Sequence, residues 1–182
     1  MSTIYTKNGD GGETGLLGQE RTSKANIRIE VLGAIDEASA ALAVARSFIK
    51  DTQTNLMILQ IQKDLYLLMA EVGASPENAA KFRKVGQDHI TWLESKIEAC
   101  IATTGAPKNF IIPGEIRSSA MLSLARTVVR RAERRMVELH VSEPFENPHL
   151  LTYLNRLSSL CFALELLENH DHGAETREIK NL

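Results

Sequence analysis

A glycine-rich segment near the N-terminus carries side chains suited to an anion-binding loop. Five of the chain's 11 glycines fall within ten residues of one another, and glycines let successive backbone N–H groups turn toward one anion. Thr6 and Thr14 supply hydroxyl groups that can donate to phosphate oxygens, and Lys7 supplies a positive charge. The segment is not a Walker A motif, because no Gly-Lys-Ser/Thr sequence follows a strand. Its composition is typical of a phosphate-binding loop or of a flexible N-terminal tail.

A concentrated positive segment lies further along the chain, between residues 117 and 140. Six arginines and two glutamates give it a net charge of +4, in a chain whose formal net charge is −2. On a helix, an arc of about 100° beside the apolar stripe holds Arg126, Arg130, Glu133 and Arg134. Arg131 and Arg135 point away from that arc. Guanidinium groups bind phosphate oxygens in pairs and keep their charge, so the arc suits a polyphosphate. The alternative is a solvated face with intrahelical pairs such as Arg130 to Glu133.

Two further polar residues lie beside apolar helix positions. Asp36 follows Ile35, and a carboxylate close to a buried stripe needs a partner, for which an arginine of segment 117–140 is suited. Otherwise Asp36 is an exposed helix residue. Asn155 holds a comparable position, where its side chain either reaches into a cleft or faces water. Both are candidate site residues.

Helices must position these residues, because apolar side chains recur at three- and four-residue spacing and no alternating strand pattern of any length appears. Capping residues, glycines and prolines set the expected boundaries. The spacing predicts five helices: from an N-cap at Asn26 to about Ile49, from after Asp51 and Thr52 to before Gly73, from about Ile90 to before Gly105, from Arg117 or Ser118 to about His140, and from Asn147-Pro148 to about Asn169. The predicted fold class is all-α, a five-helix bundle with an ordered N-terminal glycine-rich loop.

Length and composition restrict the class of protein further. The 182 residues suit a single domain, with a leader at 1–25, the bundle at 26–170 and a loose charged tail at 173–182. The longest apolar runs reach six residues, against about 20 for a membrane-spanning helix. Residues Met1 to Tyr5 lack the pattern of a signal peptide. We therefore expect a cytoplasmic protein that engages no membrane.

Charge and cysteine content argue against several other kinds of site. A formal net charge of −2 gives no general attraction to nucleic acid. Cys100 and Cys161 fall at apolar helix positions, which predicts that they pack in the core. The five histidines are dispersed without a carboxylate at metal-ligand spacing, so no metal held by the protein is expected.

Five separated segments of the chain occur in the order found in one enzyme family. They are Tyr5 to Thr14, Gly33 to Glu37, Phe110 to Gly114, Ala125 to Arg134, and Asn155 to Ser158. Together they resemble the ATP:cob(I)alamin adenosyltransferases of the propanediol-utilisation type. Five ordered motifs across residues 5–158 are far more specific than any one of them.

The resemblance implies a homotrimer of five-helix subunits, with each active site at the junction of two subunits. The implied reaction moves the 5′-deoxyadenosyl group of ATP, bound as its magnesium complex, to the cobalt of cob(I)alamin. Its products are adenosylcobalamin and triphosphate, and the leader at 1–25 becomes a nucleotide-binding loop. The nucleotide contacts carried over by position are Thr6, Lys7, Asn8, Gly9, Thr14, Gly15, Lys24, Arg130, Arg131, Glu133, Arg134 and Asn155.

The same resemblance implies roles in the reaction. It pairs Asp36 with Arg126, and it counts Arg130 among the catalytic contacts. It places Phe110 under the corrin, where the ring displaces the lower axial base and makes Co(II) easier to reduce. Cob(I)alamin is itself a strong nucleophile, so the protein need only align cobalt with the ribose C5′ and stabilise charge on triphosphate. A cob(II)alamin reductase and an adenosylcobalamin-dependent enzyme are the implied partners.

Several positions depart from the family pattern. Gly11 stands where many members have lysine, Glu115 replaces a frequent glycine, and residues 73–88 lack an expected Asp-Leu-x-x-Pro pattern. These departures support a second hypothesis, a catalytically weak protein that binds or delivers nucleotide or adenosylcobalamin. A purely structural helical oligomer is a third hypothesis, because function resides in sites and not in folds.

Overall fold

The computed structural model describes residues 4–5, 7–18 and 21–179. In chain order, these residues form a hairpin of β1 (Glu13–Gly15) and β2 (Arg21–Ser23), then α1 (Ile27–Phe48), α2 (Thr52–Val72), the short α3 (Ala79–Phe82), α4 (Gln87–Thr104), α5 (Arg117–Ser142) and α6 (His149–Asp171). The five long helices confirm the predicted all-α bundle. No sequence pattern predicts the two strands, because three residues each are too few to show alternation.

The first two helices begin at residues whose side chains satisfy otherwise unpaired backbone N–H groups. Asn26 Oδ1 accepts a hydrogen bond from the Arg28 N–H at 2.7 Å, and Asp51 Oδ2 accepts one from the Thr54 N–H at 2.6 Å. The hydrogen bond from Thr54 holds the pKa of Asp51 below its usual value. Both caps confirm the starts that the sequence predicts for α1 and α2.

Helices α5 and α6 form the centre of the bundle, with α1 against α5, α4 against α6 and α2 against α1. Fully buried side chains such as Leu122, Met136 and Leu157 fill the core. By length and composition α6 could cross a membrane, but 61% of its most apolar 18-residue window is buried inside the bundle. Its apolar surface is therefore that of a core helix.

The glycine-rich leader folds into an ordered loop at one end of the bundle. Its two strands pair antiparallel over three residues each. The Leu17 N–H then donates to the Gly73 carbonyl at 2.9 Å, and the Ser75 N–H donates to the Leu17 carbonyl at 3.1 Å. Segment 73–88, which departs from the family pattern, thus docks the leader beside the end of α2.

The expectation of a loose charged tail is wrong for residues 174–179. The Ile112 N–H donates to the Arg177 carbonyl at 2.8 Å, and the Ile179 N–H donates to the Phe110 carbonyl at 2.7 Å. The tail therefore returns along the connection between α4 and α5. Residue types do not reveal this return, because backbone groups of any residue can make such bonds. The last three residues of the chain lie outside those described.

Candidate functional site

A cleft of about 890 Å³ lies between α4, α5 and α6. Residues 106–111 of the connection between α4 and α5 form its rim. Helix α5 contributes Arg126 and Arg130, and α6 contributes two serines and Phe162. The cleft thus combines cationic and apolar surface, which suits a ligand with an anionic part and an apolar part.

Four of the six arginines of α5 divide into two groups, as their helical spacing predicts. Arg126 and Arg130 line the cleft, whereas Arg131 and Arg135 form ion pairs with glutamates of α1. This division confirms that the last two point away from the first two. The positive segment is therefore not a uniformly solvated face, since one group opens on the cleft and the other joins α1 to α5.

Asn155 joins α6 to α5 near the cleft. Its Nδ2 donates to Glu133 Oε1 at 2.8 Å, and within the described part of the chain Glu133 makes no ion pair with Arg130. Arg134 lies back along α5 and donates from Nη1 to the Arg130 carbonyl at 3.2 Å. The structure thus brings four predicted nucleotide contacts onto neighbouring turns of two helices.

The expected ion pair between Asp36 and Arg126 does not form within one chain. Among the described residues the exposed Asp36 makes no ion pair, while its neighbour Glu37 pairs with Arg131 and sets the antiparallel register of α1 and α5. In that register Asp36 lies level with residue 132 of α5. Arg126 is six residues away from that level, or about 9 Å along the helix axis. The sequence alone does not fix this register, and a pair between Asp36 and Arg126 stays a prediction that the contacts of a single chain do not supply.

A buried carboxyl group lies behind Arg126. Glu165 of α6 is 1% exposed, and burial raises the pKa of its carboxyl group, an effect that the Ser123 hydroxyl and the Arg126 charge partly offset. Nearby Cys161 is also fully buried, and burial raises the pKa of its thiol to about 12. Because Cys100 is buried as well, both cysteines confirm the prediction of core packing and are unsuited to act as thiolates.

Phe110 stands on the rim of the cleft and is 87% exposed. Its backbone carbonyl accepts the Ile179 N–H, so the main chain is held while the ring remains available to a ligand. Gly114 has a φ of +118°, a conformation that glycine adopts without the strain of a Cβ atom. The glycine of the predicted Phe110 to Gly114 motif is therefore required by the turn that presents the ring.

Two basic side chains close the leader loop onto itself. Arg21 Nη2 donates to the Asn8 carbonyl at 2.8 Å, and Lys24 Nζ donates to the Gly9 carbonyl at 2.8 Å. Lys7 adopts a φ of +63° at the start of this turn. The predicted nucleotide contacts within this unit are Lys7, Asn8, Gly9, Thr14, Gly15 and Lys24, whereas Thr6 lies outside the described residues. The leader is thus a folded loop and not a flexible tail.

The leader and the cleft arginines lie apart within one chain. Arg28, at the start of α1, pairs with Glu143, just past the end of α5, at 2.7 Å. Arg130 precedes Glu143 by 13 residues, which corresponds to about 20 Å along a helix. In the described ranges no hydrogen bond or ion pair joins the leader to the cleft arginines. A single chain therefore does not assemble the two halves of the predicted phosphate site.

Several residues that line the cleft are not predicted as site residues from the sequence, among them Phe162 and Ile179. Phe162 lies seven residues after Asn155 and four after Ser158, so helical spacing could have placed all three on one stripe of α6. No pattern could have placed Ile179, because its position depends on the return of the tail. Among the residues that the structure describes, no group of three or more His, Cys, Asp or Glu side chains is arranged to hold a metal ion.

Known proteins resemble the chain over nearly its whole length. The cobalamin adenosyltransferase family model matches residues 4–168. The corrinoid adenosyltransferase PduO of Citrobacter freundii is 36% identical over 169 residues, covering 92% of this chain and 50% of that protein. The chain thus spans about half the length of the PduO relatives that it matches. The corrinoid adenosyltransferase of Bacillus subtilis is 36% identical over 174 residues, covering 93% of this chain and 88% of that protein.

Solved structures show the same fold. A variant PduO-type ATP:corrinoid adenosyltransferase from Lactobacillus reuteri, complexed with cobalamin and ATP, superposes with a TM-score of 0.89 at 32% identity. The match covers 98% of this chain and 97% of that one. Together with the family match and the cleft, these likenesses confirm the resemblance that the five motifs predict. The chain belongs to the cobalamin adenosyltransferase family.

Proposed function

We propose that the protein transfers the 5′-deoxyadenosyl group of ATP to the cobalt of cob(I)alamin, giving adenosylcobalamin and triphosphate. The observation that carries this proposal is the cleft, which joins the guanidinium groups of Arg126 and Arg130 to an apolar rim at Phe110. The L. reuteri protein of the same fold is complexed with both cobalamin and ATP. A site for this reaction must hold a polyphosphate and a large ring system together, and the cleft offers surface for both.

The reaction requires no general base from the protein. The cobalt lone pair of cob(I)alamin attacks the ribose C5′, the bond from C5′ to oxygen breaks, and its electron pair leaves on triphosphate while cobalt becomes Co(III). The protein must hold cobalt and C5′ within reach of each other and stabilise the departing charge. Arg126 and Arg130 supply fixed positive charge beside the cleft, and the phosphates of ATP carry the magnesium ion of the substrate complex.

The other predicted contacts also suit binding of the phosphates, the nucleoside or the corrin. Arg134 adds positive charge for the phosphates one turn beyond Arg130. The hydrogen-bonded pair of Glu133 and Asn155 offers acceptor and donor groups to the nucleoside. Phe110 crowds the lower face of the corrin, which displaces the axial base and makes Co(II) easier to reduce. Arg131 is committed to Glu37 within the chain, so its contact with nucleotide requires that pair to open.

A homotrimer completes the site. Because the leader and the cleft arginines lie apart in one chain, a neighbouring subunit must bring its own leader to the cleft. Helices α1 and α5 expose Val44, Phe48 and Leu124, and exposed apolar side chains that lie together mark interaction surfaces. The exposed Asp36 is then available to pair with Arg126 across the interface. We place the trimer in the cytoplasm, with a cob(II)alamin reductase and an adenosylcobalamin-dependent enzyme as partners.

Adenosylation of chemically reduced cob(I)alamin with ATP tests this function. We expect formation of the cobalt–carbon bond, followed by absorbance, and release of one triphosphate for each product. Arg130→Ala should lose most of this activity. Arg117→Ala, which changes an exposed arginine of the same helix outside the cleft, should retain it. A folded wild-type protein that binds ATP and forms no cobalt–carbon bond would reject the proposal.

A catalytically weak binding or delivery protein is the alternative. Two departures from the family pattern favour it. Gly11 stands where many members have a charged lysine in the leader. Glu115 stands where a glycine is frequent, and its carboxylate forms an ion pair with Arg177 at 3.2 Å. This alternative predicts tight binding of adenosylcobalamin or nucleotide, measured by calorimetric titration, without turnover in the adenosylation assay.

A further inference from the structure

The C-terminal strap, residues 174–179, holds the backbone on both sides of the Phe110 ring. Ile111 and Glu178 form an antiparallel bridge. Backbone hydrogen bonds flank it, from the Ile179 N–H to the Phe110 carbonyl at 2.7 Å and from the Ile112 N–H to the Arg177 carbonyl at 2.8 Å. This is the bonding pattern of a short antiparallel ladder. The main chain at Phe110 is therefore paired directly with the strap.

The Glu178 carboxylate holds the residues just before Phe110. Its Oε1 accepts the Lys108 N–H at 3.2 Å, and its Oε2 accepts Asn109 Nδ2 at 2.7 Å. Hydrogen bonds to an ionised carboxylate are stronger than those between neutral groups. One side chain of the strap thus uses both of its oxygens on the loop that presents the ring.

Within the part of the chain that the structure describes, the backbone hydrogen bonds of residues 106–113 all run to the strap. Gly105 and Gly114, which flank it, have φ values of +73° and +118°, and the residues between them lie outside any helix. The Phe110 ring is 87% exposed, so packing against the protein core does not fix its direction. Ile179 of the strap also lines the cleft. The strap therefore both supports the rim and contributes to the cleft wall.

We propose that the C-terminal strap is a positioning element for Phe110 and that Glu178 is its positioning residue. By accepting hydrogen bonds from the Lys108 backbone N–H and the Asn109 side-chain amide, Glu178 sets where the Phe110 ring stands over the cleft. Its effect on catalysis rests on the proposed adenosyl transfer, since Phe110 acts there on the Co(II) corrinoid. Its effect on the loop does not depend on any activity.

Amide hydrogen exchange across residues 107–112 tests the contact itself. Glu178→Ala should speed exchange of the Lys108 amide by about tenfold, because the N–H loses a charged acceptor. Glu178→Gln retains one carbonyl oxygen and should fall between Glu178→Ala and wild type. Glu175→Ala, an exposed glutamate of the same strap, should exchange like wild type. Unchanged exchange at Lys108 in both Glu178 variants would overturn the proposal.

A comparison of two routes to adenosylcobalamin tests the positioning role. Glu178→Ala should lower adenosylation from cob(II)alamin with a reductant about tenfold more than adenosylation from prereduced cob(I)alamin, with partial rescue by Glu178→Gln. Glu175→Ala should preserve the wild-type ratio. Equal losses by both routes in Glu178→Ala would overturn the role, because a merely structural defect lowers both. If the wild type shows neither route, adenosyl transfer itself fails, and the exchange measurement still decides whether Glu178 holds the loop.

Discussion

Replacing Phe110 with alanine should separate ligand binding from folding. The residue is 87% exposed at the rim of the cleft, so its removal should change the free energy of unfolding by at most about 0.5 kcal/mol. When a corrinoid covers the ring, burial of a phenylalanine side chain is worth about 1.5–3 kcal/mol. Loss of that contact should weaken corrinoid binding by about 10- to 150-fold, because 1.4 kcal/mol corresponds to a factor of about ten.

The assay compares corrinoid affinity, turnover and stability for the Phe110→Ala variant. The Kd for cob(II)alamin is measured by absorbance titration at saturating ATP. Adenosylation is then followed from cob(II)alamin with a reductant and from prereduced cob(I)alamin. The Co(II) route should lose more, because displacement of the lower axial base matters before reduction. Tyr66→Ala, which removes an exposed aromatic ring of α2 outside the cleft, should leave both routes unchanged.

Two results would refute this reasoning about Phe110. Equal losses by the two routes would show that the ring has no particular effect on Co(II). A fall in Tm larger than the few degrees that about 1 kcal/mol produces in a domain of this size would show that the ring packs against the protein. The first result would remove the role assigned to the ring in the Co(II) route, and the second would remove the ground for treating the exposed ring as a ligand contact.

Three further perturbations test the site and its supports. Arg130→Ala should raise the KM for ATP about tenfold or more with little change in Tm, since loss of a charged hydrogen bond costs about 1.5–3 kcal/mol. The KM is measured by steady-state kinetics at saturating cob(I)alamin, and an unchanged value would contradict the role of Arg130. Tyr153→Phe removes the buried hydroxyl that donates to Asp64 Oδ2 at 3.0 Å. It should lower the free energy of unfolding, measured in urea, by about 1–3 kcal/mol. Equal urea midpoints for the variant and the wild type would refute this expectation. Burial raises the pKa of Glu165 above its ordinary value of 4.5, so the folded state binds this proton more tightly than the unfolded state does. The stability that Glu165 contributes should therefore be lost as pH rises from 4.5 through the higher folded pKa. Over this range the urea midpoint of the wild type should fall relative to that of Glu165→Gln, and identical pH dependences of the two midpoints would argue against the shift.

The sequence was most informative about features that depend on the geometry of a single helix. The cap at Asn26 predicts where α1 begins, because a side-chain acceptor at this position satisfies a nearby backbone N–H group, and the apolar spacing after Asp51 and Thr52 predicts α2. The spacing of Arg126 and Arg131 predicts that they point in different directions, since the rotation of 100° per residue is a property of the helix itself. Phe110 was a candidate only through resemblance, because an aromatic residue in a loop has no periodic pattern.

The tertiary structure decided the relations between segments. The register of α1 against α5 separates Asp36 from Arg126 and depends on how whole helix faces pack. The strap reaches Phe110 mainly through backbone bonds, whose donors and acceptors are common to nearly all residue types and so leave little trace in the sequence. The amino-acid sequence by itself thus determined the helices, the arginine arc of α5 and the family. Only the folded molecule showed that the leader lies away from the cleft and that the C-terminal strap supports the rim. The physical reason is that helical periodicity is local, whereas register and backbone pairing between distant segments depend on the packing of the whole bundle.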